Sequence, residues 1–336
     1  MKAIGFKTSL PISAEESFIE FETAVPQPIG RDILVKINAI SVNPVDYKIR
    51  QNSVKDTVLE TPKVIGWDAA GTVEAVGEVV TFFKPGDAVY YAGDLTRSGS
   101  NAEYQLIDER IVGLKPSTLS NAEAAAMPLT AVTAWESLYD RMRINERDKG
   151  KSILIIGGAG GVGSIAIQLA KKVSGLKVIT TASRTETKEW CLAMGADLVV
   201  DHKNLVEEIR AAGYQEVDFI LDFVDLNGYW DAIVELIKPQ GHIVSITGSA
   251  TPIALNKLKN KSVTFSWELM YTRSMYQTDD MEEQHHILNK LAELFDNGTL
   301  KTTLNTTLKG FTAENLKEAH RLLESGKTIG KVVIEY

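Results

Sequence analysis

An apolar run, Ser152-Ile153-Leu154-Ile155-Ile156, leads directly into Gly157-Gly158-Ala159-Gly160-Gly161-Val162-Gly163. A short continuous apolar segment of this kind suits a strand buried on both faces of a parallel sheet. The glycines that follow contain G-x-G-x-x-G at Gly158, Gly160 and Gly163, and a helix is expected from Ser164 to Val173. Strand, glycine loop and helix in that order make the spacing informative. The glycines supply a tight turn, a close backbone approach to a pyrophosphate and tight helix–strand packing. The helix N-terminus adds unpaired N–H groups and positive partial charge. A dinucleotide site is therefore expected, with Gly158, Gly160, Gly161, Val162 and Gly163 against the cofactor.

The same pattern of strand and helix continues after the loop. Further strands are expected at Lys177–Thr181, Asp197–Asp201, Val217–Asp222 and Gly241–Ile246, with a helix from Glu186 to Met194. Strands separated by helices predict an α/β fold with a doubly wound parallel sheet. The first 120 residues read differently. Short apolar segments such as Ile33–Ile37, Gly71–Val76 and Ala88–Tyr91 lie between glycine and proline turns, as in a small β-barrel. Ser120 and Glu123 form a capping-box pattern that opens a helical stretch, and Thr130 to Asp140 also reads as helix. After Thr264 a helix, Met281 to Phe295, precedes a last strand at Lys331–Glu335. The expected organisation is residues 1–125, then 126–264 as the dinucleotide-binding domain, then 265–336 returning to complete the first domain.

Charge and cysteine content narrow the function. With 36 basic and 44 acidic side chains, the net charge of -8 argues against nucleic acid or a polybasic membrane surface as partner. No apolar run reaches the length of a membrane span, and the N-terminus lacks a signal-peptide core, so a cytoplasmic location is expected. One cysteine, Cys191, permits neither an intrachain disulfide nor a three- or four-thiolate zinc site.

An NAD site usually places a carboxylate about 20 residues beyond the glycine loop, at the end of the second strand. Here that strand ends Thr181-Ala182-Ser183-Arg184. A guanidinium pairs with a 2′-phosphate through charge-assisted hydrogen bonds, and a hydroxyl adds another. NADPH is the expected cofactor, with Ser183 and Arg184 as its selectors.

Four segments together carry a family resemblance. They are Asn43-Pro44-Val45-Asp46-Tyr47-Lys48-Ile49-Arg50, Gly66-Trp67-Asp68-Ala69-Ala70-Gly71-Thr72-Val73, Pro128 to Glu136, and the glycine loop. In this order the chain resembles the zinc-independent quinone oxidoreductases of the medium-chain dehydrogenase/reductase superfamily. Within it, the chain looks like the bacterial zinc-type alcohol dehydrogenase-like branch. The resemblance implies a GroES-like β-barrel domain, a Rossmann domain, an active site in the cleft between them, and a dimer or tetramer. It places Asn43 and Thr130 near the nicotinamide, Thr247-Gly248-Ser249 on the nicotinamide side, and Phe223-Val224 along the cofactor path. It brings His202 toward the adenine or 2′-phosphate, and Lys331 of Gly330-Lys331 close to the cofactor.

Zinc members of the superfamily carry a Cys, a His in Gly-His-Glu and a second Cys or acidic ligand. The matching positions here are Asn43, Trp67 and the neighbourhood of Ala126-Met127. Amide, indole and alkyl groups do not replace thiolate and imidazole, so no metal is expected. Without a Lewis acid, hydrogen-bond donors must polarise the acceptor. An electron-poor quinone or α,β-unsaturated carbonyl is then the expected substrate. Asn43, Tyr47 and Trp67 are the candidate catalytic residues: a polar contact, a phenolic donor and an apolar wall. Asp46 is expected to be structural, paired with Arg50 or Lys48. The alternatives are a zinc alcohol dehydrogenase and a non-catalytic NADPH-binding sensor or scaffold.

Overall fold

In the computed structural model, which describes residues 1–336, Ser152–Ile156 forms a strand buried at every position. It lies third in a six-stranded, all-parallel sheet. The order is Leu198–Val200, Lys177–Thr181, Ser152–Ile156, Val217–Asp222, Ile237–Ser245 and Thr264–Trp267. Leu154, Ile156, Ile220 and Ile243 pack with Trp230 and Ile233 from the helix Leu226–Leu236 into one core. Each such Leu or Ile contributes about 1.5–3 kcal/mol relative to an exposed side chain. Gly195, at φ 113°, ends the helix Thr185–Met194 in the left-handed conformation that favours glycine. These elements belong to one compact unit, Thr133–Met270.

The strand Thr264–Trp267 is a sixth member of this sheet that the sequence pattern does not announce. Thr-Phe-Ser-Trp is short and half-exposed, so it lacks the apolar run of its neighbours. The expected helix at Ser164–Val173 begins earlier, at Gly161, and changes from α to π geometry at Leu169–Val173.

The second unit is made of Met1–Val132 and Tyr271–Tyr336. Its centre is the eleven-residue strand Asp32–Val42. One edge of this strand pairs antiparallel with Ala69–Val76. The other edge is shared: Tyr104–Asp108 pairs with its first half, and Lys331–Glu335 with its last. Ala88–Tyr91, Val112–Leu114 and Leu304–Lys309 complete a seven-stranded sheet. Ser120 opens its helix as expected: its hydroxyl accepts the Glu123 backbone N–H at 3.2 Å, and Glu123 accepts the Ser120 N–H at 2.9 Å. This sheet with the parallel one above is the α/β combination of GroES-like and Rossmann-type units.

Candidate functional site

Strand register brings three polar side chains to one end of Asp32–Val42. Val332 lies opposite Val42, so Lys331 comes beside the next residue, Asn43. On the other edge Ala69 lies opposite Ile40, and the Asp68 carbonyl accepts the Ser41 N–H at 3.0 Å. Asn43 Nδ2 donates to Asp68 Oδ2 at 2.7 Å, and Lys331 Nζ donates to the same oxygen at 2.9 Å and to Asn43 Oδ1. The Leu129 backbone N–H donates to the other carboxylate oxygen at 2.8 Å. Asn43, Asp68 and Lys331 are all buried. Burial raises the Asp68 carboxyl above its ordinary range, against the opposing pull of the Lys331 charge and the Asn43 hydrogen bond.

Asn43 also precedes the helix Pro44–Asn52, with proline at its first turn. The Asp46 Oδ2 accepts the Asn43 backbone N–H at 2.6 Å. Asp46 therefore pairs with neither Arg50 nor Lys48, the two partners the sequence suggested. Arg50 reaches the Leu10 carbonyl, Glu324 and His320 instead. Burial pushes Asp46 up to about 7, and its Oδ1 has no hydrogen-bond partner.

Neither of the other expected catalytic residues, Tyr47 and Trp67, nor the expected nicotinamide neighbour Thr130 hydrogen-bonds to this network through its side chain. Tyr47 is half-buried, and burial and the Glu324 charge raise its hydroxyl above the usual range. Trp67 is buried, with Nε1 donating to the Asp94 carbonyl at 3.0 Å. Thr130 is buried and donates to the Met127 carbonyl at 3.2 Å.

In the other unit the glycine loop is a bare cradle. A Cβ on Gly158 would meet Thr180 Oγ1 at 2.1 Å, and one on Gly163 would meet the Gly157 carbonyl at 2.1 Å. A Cβ on Gly160 would meet nothing nearer than 3.7 Å. Gly160 is the cap of the helix Gly161–Gln168, with no side chain bonded to the helix end. Gly161 and Val162, in the first turn, are partly exposed. This arrangement fits a pyrophosphate: packed glycines behind, open space in front, and a helix N-terminus behind Gly160. Gly157 N–H is tied to Thr181 Oγ1 at 2.9 Å, which anchors the turn to the neighbouring strand.

Ser183 is exposed and Arg184 partly so, just past that strand; Arg184 lies 3.4 Å from Glu186. His202 begins the short turn after Leu198–Val200, with its ring 3.6 Å from Asp201. Phe223 is partly exposed beyond Val217–Asp222. Buried Asp222, which sequence reasoning missed, organises this end of the sheet. Its Oδ2 accepts from Ser245 Oγ at 2.8 Å and from Thr247 Oγ1 at 2.9 Å. The Thr247 hydroxyl is thereby spent on the loop, while Gly248 faces open space.

The metal positions do not suit zinc. The Asn43 amide and Trp67 indole are both committed to hydrogen bonds, and Met127 Sδ accepts the Thr303 N–H at 3.3 Å. Nowhere do three His, Cys, Asp or Glu side chains gather to hold a metal ion. Protein purified without added zinc is expected to contain far less than one zinc ion per chain by elemental analysis; a tightly held stoichiometric ion would contradict this.

Residues 30–132 match the family described as alcohol dehydrogenase GroES-like domain, and residues 194–334 the family described as zinc-binding dehydrogenase. A zinc-type alcohol dehydrogenase-like protein of Staphylococcus aureus (strain MSSA476) is 46% identical over 99% of both chains. The chloroplastic NADPH-dependent alkenal/one oxidoreductase of Arabidopsis thaliana is 33% identical, over 94% of this chain and 75% of that one. Among solved structures, the Escherichia coli quinone oxidoreductase complexed with NADPH superimposes with a TM-score of 0.85, at 26% identity and 100% coverage of both chains.

Proposed function

Because this chain belongs to the quinone oxidoreductase-like branch of the medium-chain dehydrogenase/reductase superfamily, we propose that it is a zinc-independent reductase that uses NADPH to reduce quinones or α,β-unsaturated carbonyl compounds. The observation that carries this reading is the state of the metal-ligand positions. Asn43 and Trp67 are both committed to hydrogen bonds and offer no thiolate or imidazole to hold a Lewis acid that would activate an ordinary alcohol. An acceptor whose new charge is delocalised does not need one.

NADPH would be held by Gly158, Gly160 and Gly163 at the pyrophosphate and by Ser183 and Arg184 at the 2′-phosphate, and it supplies hydride at C4 of its nicotinamide. The chain's own contribution is placement. Asp222 fixes the loop of Thr247 and Gly248, and Asp68 holds Lys331 and Asn43 in one orientation. Preorganised positioning of this kind removes much of the entropic barrier to a bimolecular transfer. The reading is consistent with the activities for which the Arabidopsis and Escherichia coli proteins are named.

Steady NADPH oxidation with a panel of quinones and enones tests it; turnover of simple alcohols alone would overturn it. Arg184→Ala is expected to weaken NADPH by roughly 10–150-fold, the loss of a charge-assisted hydrogen bond worth about 1.5–3 kcal/mol, with NADH binding unchanged. Titration of each dinucleotide by fluorescence checks this. Equal loss for both would remove Arg184 from the 2′-phosphate.

A further inference from the structure

A cavity of about 220 Å³ opens at the end of the parallel sheet opposite the glycine loop. The loop follows the last residue of Ser152–Ile156, whereas the cavity lies by the first. Asp218, in its lining, accepts the Ser152 N–H at 2.9 Å and the Ser152 hydroxyl at 2.8 Å. At about 3.3 Å per residue the two ends of this strand are roughly 13 Å apart. The whole lining belongs to the unit Thr133–Met270. It is built where Ile237–Ser245 leaves register. One residue separates Val217 from Phe219, while four separate their partners Ile237 and His242. Among those four, Gln240 stands at φ 63°; Arg143, also in the lining, stands at φ 57° just after the helix end at Met142. They are two of only four non-glycine residues in the chain with positive φ. Glycine takes that conformation without strain, so a side chain kept at both positions points to a use for the side chains.

The charges in the lining do not cancel. Lys151 Nζ donates to Asp148 Oδ1 at 2.7 Å, and Lys238 pairs with Asp218. The Arg143 guanidinium is exposed and pairs with no carboxylate. Burial holds the His242 imidazole below its ordinary range, so it adds no charge at neutral pH. One positive charge is left over, on a planar fork that suits a carboxylate. Phe219 and Met142 supply an apolar wall, with the Lys151 ammonium 5.7 Å and the His242 ring 6.1 Å from the Phe219 ring. A cavity of about 150 Å³ holds benzene, so this one has room for a ring and its carboxylate. We propose that the cavity binds a monocarboxylate of benzoate size, with the carboxylate on Arg143 and the flat body against Phe219. Asp148 and Asp218 select against a second negative charge. The site is separate from the dinucleotide loop and does not depend on the reaction proposed above.

The test uses the full chain and 4-fluorobenzoate, followed by the broadening of its fluorine NMR line. Wild-type protein should bind the probe with and without NADPH. Arg143→Gly should weaken binding by about 10–150-fold, the range set by loss of a charge-assisted hydrogen bond, and leave the NADPH Kd unchanged. Its Tm should stay level or rise, since glycine relieves the backbone at that position. Arg147→Ala, which removes an exposed arginine of the same loop outside the lining, should leave binding as in wild type. Phthalate should compete about 10-fold more weakly than 2-nitrobenzoate, which has the same shape and one charge fewer. No binding by wild type, equal binding by Arg143→Gly, or displacement of the probe by NADPH would overturn the site. Phthalate competing as well as 2-nitrobenzoate would overturn the charge selection.

Discussion

Lys331→Met is expected to cost about 3–5 kcal/mol of stability, because it leaves the Asp68 carboxylate buried and without its cationic partner. Both members are almost wholly buried, with side-chain exposures of 3% and 0%, so solvent cannot take over the missing role. The loss should depend on pH in a definite direction. Asp68 already sits above its ordinary range, and removing Lys331 raises it further. A carboxyl whose folded pKa exceeds its unfolded value stabilises the fold below the unfolded value and loses that contribution as pH rises through the folded one. The deficit against wild type should therefore be smallest near pH 4 and grow as the pH rises, as urea titrations at several pH values would reveal. Adding Asp68→Asn to Lys331→Met should recover part of the loss, since an amide still accepts the Leu129 N–H and carries no charge. A single variant as stable as wild type at pH 8 would contradict the role given to this pair.

The glycine loop offers a contrast of equal size. Gly163→Ala forces a Cβ to within 2.1 Å of the Gly157 carbonyl, a backbone atom that cannot step aside. The helix must shift, and both thermal stability and dinucleotide binding should fall. Gly160→Ala meets nothing closer than 3.7 Å and keeps an extended backbone at φ -73°. Its stability should stay within about 0.5 kcal/mol of wild type. Its added methyl nevertheless stands where the pyrophosphate is proposed to lie, so the NADPH Kd should rise by about 10–100-fold. Calorimetry separates the two effects, and equal NADPH affinity in Gly160→Ala and wild type would move the pyrophosphate elsewhere.

The two halves of the site were not equally readable. The glycine loop is local: strand, turn and helix follow within about a dozen residues, so spacing alone conveys the geometry. The cluster around Asp68 is not. Asn43 and Lys331 drew attention for separate reasons, but only the register of three strands makes them neighbours. One signal for Asp68 was present, a lone charge inside Trp67-Asp68-Ala69-Ala70-Gly71, where burial demands a partner. The strand Thr264–Trp267 escaped notice because half-exposed edge strands show weak patterning.

The pairing of Asp68 with Lys331 also has a consequence for biosynthesis. These residues lie 263 positions apart, with the whole parallel-sheet unit translated between them. At about 5–20 residues per second, a ribosome needs roughly 13–50 s to cover that interval. The intervening unit has all its own strands long before Lys331 emerges, so it is free to fold first. The segment up to Val132 must meanwhile keep Asp68 hydrated or shielded by a chaperone, because its buried site closes only with the last strand.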